Sequence, residues 1–190
     1  MSHTDEGNNG RIYETQFGVK KIQKKRSMGH DILTQKRIHT YAASLLQDLK
    51  LQKLYIPFVN NMNPTEYEMQ KISTEKIIYP GAPNHGEVLP HDEFEKLLNE
   101  LAVFWVYLYT NGFAAWDYEL FLQPDGRVAL IDFDKFGFRM TSGPVSITMP
   151  CRGPGFSLNY FFQNPCFPHD FVERLRKVGF QPPADCLPAL

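Results

Sequence analysis

The sequence predicts an α+β fold with two lobes. Segments of strand-like composition crowd the first part of the chain, and helical periodicity dominates the later part. A loop rich in Pro and Gly, "YPGAPNHGEVLP", stands between them as the best candidate for the lobe boundary. The chain has 190 residues, of which 43% are hydrophobic and 14% aromatic, enough to build a core in one domain or in two small lobes sharing a cleft.

The opening stretch "MSHTDEGNNG" is polar, has no hydrophobic signal-peptide core, and is expected to be loose. "RIYETQFGVKKI" contains strand-like segments around a turn at Glu14 to Gln16. "HDILTQKRIHTYAASLLQDLK" reads as a helix with Ile38, Tyr41, Ala42 and Leu45 on one face. "LYIPFV" and "EYEMQKI" are short strands around a polar turn from Asn60 to Thr65. The clearest helix is "HDEFEKLLNELAVFWVYLYTNG". Phe94, Leu97, Leu98, Leu101, Trp105 and Leu108 form its apolar stripe, Asp92 caps its start and Asn111-Gly112 ends it. "YELFL" and "RVALIDF" then form a hairpin around Pro124-Asp125-Gly126. "SLNYFFQ" and "PHDFVERLRKVGF" read as short closing helices.

Composition narrows the partners. A net charge of -1 gives no reason to expect a nucleic acid, and the basic run Lys20, Lys21, Lys24, Lys25, Arg26 reads as a solvated edge. No apolar run reaches the roughly 18 residues of a membrane span. Cys151, Cys166 and Cys186 are odd in number and scattered, which suits reduced thiols in a cytosolic setting. The six His have no ligand spacing for a structural zinc.

The chemistry concentrates in "AAWDYELFLQPDGRVALIDFDKFGF", where Asp117, Glu119, Asp125, Asp132 and Asp134 lie among aromatic and aliphatic residues. Such a setting is costly for charge unless the carboxylates are paired, hydrogen-bonded or metal-bound. A helix, an Asp in a loop, a tight hairpin and an Asp ending an apolar strand make a phosphoryl-transfer layout. One carboxylate positions the attacking hydroxyl and takes its proton, and the other holds a magnesium ion on the nucleotide phosphates. Each acid also has a plainer reading. Asp117 could cap a turn, Asp132 could be an exposed strand end, and Glu119 could be a solvated residue. Asp125 and Asp134 read as turn residues.

This order of motifs, over roughly residues 7 to 138, resembles the protein-kinase-like superfamily. The resemblance implies a minimal bilobal kinase-like fold in one domain spanning residues 1–190. Residues 7–72 would form a β-rich N-lobe, 73–84 a hinge, and 85–190 a truncated helical C-lobe. Asp117 takes the place of the catalytic-loop Asp, and Asp132 in Asp132-Phe133-Asp134 that of the metal-binding Asp. "FGVKKI" resembles the third kinase strand, with Lys20 rather than Lys21 reaching the phosphates of ATP. Met69 in "YEMQKI" becomes the gatekeeper, with hinge backbone from Lys71 through Ile72 to Thr74. Gly7 and Gly10 resemble a remnant phosphate-covering loop.

Departures are equally visible. Ala115-Trp116 replaces His-Arg before Asp117, and Leu122 stands where a metal-binding Asn is expected, so Glu119 is the candidate second ligand for Mg2+. The first helix offers no Glu for the strand lysine; Gln35 is the first substitute, with Asp31 and Asp48 behind it. The short Asp117–Asp132 spacing and the Asp-Phe-Asp motif are similar to the minimal HopBF-type effector kinases. That likeness implies a monomer delivered by a bacterial type III system into a host cytoplasm. It also implies phosphorylation of a serine of the ninety-kilodalton heat-shock chaperone. Three readings stand beside it: a pseudokinase or interaction module, a small-molecule phosphotransferase, and a nucleotide transferase.

Overall fold

The computed structural model describes residues 3–6, 10–23, 32–60, 66–79, 88–110, 113–115, 118–131, 136–138 and 170–180. In chain order the elements are β1 (His3–Glu6), β2 (Gly10–Glu14), β3 (Gly18–Gln23), α1 (Ile32–Leu49), β4 (Leu54–Tyr55), β5 (Val59–Asn60), β6 (Glu66–Gln70) and β7 (Ile77–Ile78). They continue with α2 (His91–Thr110), β8 (Phe113–Ala115), β9 (Glu119–Leu122), β10 (Val128–Ile131), β11 (Phe136–Phe138) and α3 (Phe171–Lys177). The expected α+β class is present: small sheets and three helices among the described residues. No helix among them is long and apolar enough to cross a membrane.

The first sheet has five strands in the order β1-β2-β3-β6-β5, all pairs antiparallel. Its first strand falls in the stretch expected to be loose. Pairing of backbone N–H and C=O groups with β2 needs no apolar side chains, so a polar composition did not reveal it. The β2–β3 turn is organised by Thr15, whose Oγ1 accepts from Gly18 N at 3.0 Å while Thr15 N donates to the Gly18 carbonyl at 2.9 Å. At Gly18 the neighbouring strand comes very close. A Cβ there would lie 2.0 Å from the Met69 carbonyl oxygen, so only glycine lets β3 lie this close to β6.

The second sheet runs β4-β10-β9-β7, with β4 parallel to β10 and the other pairs antiparallel. The expected hairpin is present. Gly126 N donates to the Gln123 carbonyl at 2.9 Å, and Gly126 itself has φ +82. This is a type I turn with Pro124 and Asp125 at its centre, followed by the left-handed position that glycine fills. Asp125 Oδ1 accepts from Arg127 N at 3.0 Å, and that bond is the chief reason its carboxyl is held below the usual range.

The segment "LYIPFV" departs from its expected single strand. Ile56-Pro57-Phe58 separates β4 from β5, which belong to different sheets. Pro57 has no N–H for a ladder. β4, within residues 7–72, pairs in the second sheet with β10. The passage from β6 to β7 also precedes the Pro- and Gly-rich loop, whose residues 80–87 lie outside the described residues.

Helix α2 is the centre of the core. Phe94, Leu97, Leu98, Leu101, Ala102, Phe104 and Trp105 are buried against Leu120, Val128 and Leu130 of the second sheet and against Ala42, Leu45 and Leu46 of α1. Each such large side chain contributes about 1.5–3 kcal/mol on burial. Asp92 lies inside the first turn of α2 and so does not cap it. Short α3 docks on α2 through Leu175 and an edge-to-face pair of Phe180 with Trp105, centroids 5.4 Å apart. Arg174 reinforces this contact, donating to Glu95 at 3.0 and 3.1 Å and to Asn99 at 3.0 Å. The proposed helix at "SLNYFFQ" lies outside the described residues.

One carboxylate on α2 secures the chain between α1 and β4. Glu100 accepts from Gln52 N at 3.0 Å and from Lys53 N and Leu54 N at 2.8 Å each. Glu100→Ala leaves these donors without their acceptor and is expected to cost about 2–4 kcal/mol, with Glu100→Gln costing about half as much. Urea unfolding of the three proteins checks this; midpoints that coincide would show that water satisfies these groups equally well.

Candidate functional site

Strand alternation sorts the first sheet into two faces. The registers pair Ile12 with Lys21 and Val19 with Met69, so these four share one face. Tyr13, Lys20, Glu66 and Glu68 share the other. Lys20 lies 2.7 Å from Glu66 as an ion pair, and Thr15 Oγ1 donates to Glu68 beside it.

The first face closes one side of a cavity of about 110 Å³ lined by Ile12, Val19, Lys21, His39, Met69, Glu119 and Ile131. Helix α1 supplies His39, and the β9–β10 hairpin supplies Glu119 and Ile131, which are directly paired across the two strands. A cavity this small lies below the ~300 Å³ at which pockets for whole ligands begin, so it suits one end of a larger molecule. The same hairpin alternates cleanly. Leu120, Val128 and Leu130 face α2, whereas Phe121 and Ala129 pack with Ile72 on the face that carries Glu119.

The sequence-derived candidates separate on this geometry. Met69 and Glu119 line the cavity. Ile72 is buried against Phe121 and Ala129, and Lys71 is exposed and ion-paired with Glu14 at 2.8 Å. Gly10 opens β2. Lys20 lies on the face away from the cavity, and its neighbour Lys21 lines it. "Val-Lys-Lys-Ile" offers a lysine to either face, so only the pairing with β2 and β6 decides which points inward. Gln35 falls within α1, its side chain outside the described residues. Gly7, Asp117 and Asp132 lie outside the described residues. In the chain Asp132 follows Ile131, a cavity residue, and Asp117 precedes Tyr118, which belongs to the core.

His39 was missed. It is 2% exposed, and its Nε2 lies 2.6 Å from the Pro57 carbonyl oxygen. A carbonyl only accepts, so Nε2 carries the proton. Burial pushes the imidazole pKa down to about 4; the Pro57 bond works against that shift, and the Lys21 charge adds to it. The ring is therefore neutral at pH 7. Its position on the face of Ala42 and Leu46 was available from helical spacing, but a histidine there gives no sign of its partner.

Magnesium needs oxygen donors and retains water, using one or two carboxylates beside substrate phosphates. Glu119 fits that chemistry as one carboxylate on the cavity wall. Among the described residues no three of His, Cys, Asp and Glu come together as a metal-holding group.

A larger cavity of about 530 Å³ opens elsewhere, between the first turn of α2, the segment after β6 and the β9–β10 turn. Lys53, Lys76, Glu75 and Glu93 supply its charges. Glu93 bonds both Lys53 and Lys96, and the Lys53 bond is the main reason its pKa lies down at about 2. Ser73, Glu75 and Lys76 of the expected hinge line this cavity, but its charges balance, and Met69 and Glu119 line only the smaller one, so the smaller one is the better candidate site.

No protein-family model matches the chain, and no curated protein matches it in sequence.

The depressed His39 pKa has a stability consequence. Between its ordinary value of 6.5 and about 4 the unfolded chain binds a proton that the folded chain excludes. Stability contributed by neutral His39 is fully present above pH 6.5 and is lost as pH falls toward 4, by about 3 kcal/mol in total. Urea unfolding at several pH values should show this slope, and His39→Gln should flatten it; an unchanged slope would mean that other groups carry the acid sensitivity.

Proposed function

We propose that this chain is an ATP-dependent phosphotransferase with a minimal kinase-like arrangement, acting on a hydroxyl of a protein. The observation that carries the reading is the convergence of Val19 and Lys21 from β3, Met69 from β6, His39 from α1, and Glu119 and Ile131 from the hairpin on one cavity. Several elements, separated in the chain, supply one cation, one carboxylate and an apolar wall at the same place. That combination suits a nucleotide: apolar groups contact the base, a lysine meets phosphate, and a carboxylate serves the accompanying ion.

In this reading Lys21 takes the phosphate-binding role first given to Lys20. Glu119 and Asp132 hold magnesium, which when bound neutralises charge on the phosphates. Asp117 positions the acceptor hydroxyl and takes its proton. Gly7 and Gly10 contribute backbone N–H groups over the phosphates, and backbone from Lys71 to Thr74 meets the base. The likeness to HopBF-type effectors extends the proposal to a serine of the ninety-kilodalton heat-shock chaperone, reached after type III delivery into a host cytoplasm.

A second reading, a pseudokinase that binds nucleotide without transferring phosphate, is favoured by one observation: α1 brings a neutral histidine, not a carboxylate, to the cavity. ATP labelled separately at the α and γ positions, incubated with the protein and a eukaryotic lysate, separates the readings. Transfer of γ label supports the kinase, transfer of α label makes it a nucleotide transferase, and binding with neither makes it a pseudokinase.

The register sets the mutational expectation. Lys21→Met should weaken ATP handling by about tenfold or more, as loss of a charge-assisted contact implies. Lys20→Met should cost little in ATP handling, because Lys20 is paired with Glu66 on the face away from the cavity. Titration of ATP against transfer rate for both variants checks this, and greater damage at Lys20 would reverse the assignment.

A further inference from the structure

The larger cavity, of about 530 Å³, has the size of a small-molecule site, and its polar groups are unevenly spent. Lys53 keeps only 11% of its side chain exposed, and its ammonium donates to Glu93. Glu93 divides its two oxygens between Lys53 and Lys96, so this trio retains one positive charge. An ammonium has three donors, and the other two of Lys53 have no acceptor among the described residues. Ser73 lines the same cavity. Its backbone N–H and carbonyl are bonded to Gln123, and its hydroxyl has no partner among the described residues. The remaining charges, Glu75 and Lys76, are exposed neighbours of opposite sign at the rim. The inner pole is therefore cationic and rich in donors. Leu89 and Pro90 before α2, with Leu122 and Pro124 of the hairpin, supply an apolar wall.

We propose that this cavity binds an organic monocarboxylate. The carboxylate oxygens accept from the Lys53 ammonium and the Ser73 hydroxyl, and the apolar body of the ligand packs on Leu89, Pro90, Leu122 and Pro124. One retained positive charge matches one negative charge; a phosphate dianion would meet Glu93 and Glu75 with its second charge uncompensated. The walls are tied together before any ligand arrives. Gln123 holds Ser73, Leu122 N donates to the Lys76 carbonyl at 2.9 Å, and Val128 N donates to the Lys53 carbonyl at 2.8 Å, so little ordering cost falls on binding. This site is separate from the smaller cavity and does not rest on the proposed phosphotransfer.

Titration of the full chain with phenylacetate, phenethylamine and phenyl phosphate, followed by the methyl resonances of Leu89 and Leu122, tests this. Phenylacetate should shift both residues with a Kd of about 1–10 mM, as a fragment of its size implies, and the other two should bind at least about threefold more weakly. Lys53→Met should weaken phenylacetate about tenfold or more, and Ser73→Ala about threefold. Ser73→Ala keeps the backbone bonds to Gln123, so its urea midpoint should match the wild type and its binding is readable even if Lys53→Met unfolds. Unshifted Leu89 methyls with phenylacetate would overturn the proposal. So would tighter binding of the amine or the phosphate, or wild-type affinity in Ser73→Ala.

Discussion

The chain that passes from the first sheet to the second is held by a buried amide side chain. Gln123 Oε1 accepts from Ser73 N at 2.9 Å, and its Nε2 donates to the Ser73 and Phe121 carbonyls at 3.0 Å each. The passage from β6 to β7 lies beside a sheet without being part of one, so its backbone groups need outside partners. Gln123 supplies both a donor and an acceptor and is itself buried. The carbonyl of Lys76 then accepts from Leu122 N at 2.9 Å, and β7 enters the second sheet by pairing with β9. Glu100 performs the corresponding service for residues 52–54. Two polar side chains, one on the hairpin and one on α2, thus fix the crossing segments, and apolar burial fills the space that they define.

From this constraint the cavity follows. Strand β3 can lie this close to β6 at Gly18 only because that residue has no Cβ. The β9–β10 hairpin has one face committed to α2; on the other, Phe121 and Ala129 pack with Ile72, and Glu119 and Ile131 line the cavity with residues of the first sheet. Helix α1 bridges both units, burying Ala42 and Leu46 in the main core and His39 at the cavity. The charged groups are kept apart by the pleat: Lys20 and Glu66 neutralise one another outside, while Lys21 and Glu119 stand inside. A site with one cation, one carboxylate and a neutral imidazole is suited to an anionic ligand with a metal ion, and this is the chemical basis of the phosphotransfer reading.

Much of the scaffold was legible in the residues themselves. The stripe from Phe94 to Trp105 repeats with helical period, and its burial requires no knowledge of the partner. Pro124-Asp125-Gly126 announces a turn because proline presets φ and glycine accepts the left-handed position that follows. Glu119 and Met69 were also reached from sequence order, and both line the cavity. Other features were silent. The paired strands around His3 to Glu6 carry no apolar signal. The proline between Ile56 and Phe58 marked an interruption but not a change of sheet. The roles of Gln123 and Glu100 depend on backbone groups some fifty residues away in the chain, and no local pattern can name such partners.

Sequence alone determined the local chemistry: which stretches could be helix or strand, where the hairpin turned, and which segment gathered the acids. These follow from periodicity and turn preferences, which act over a few residues. Tertiary structure decided which of two adjacent lysines faces the cavity, since a strand shows both and only its neighbours choose a face. It also showed that α1 brings a histidine, His39, to the cavity. Its placement depends on a carbonyl 18 residues further along the chain. Burial and pairing between distant segments set the protonation state of His39, and no property of the isolated residue foretells it.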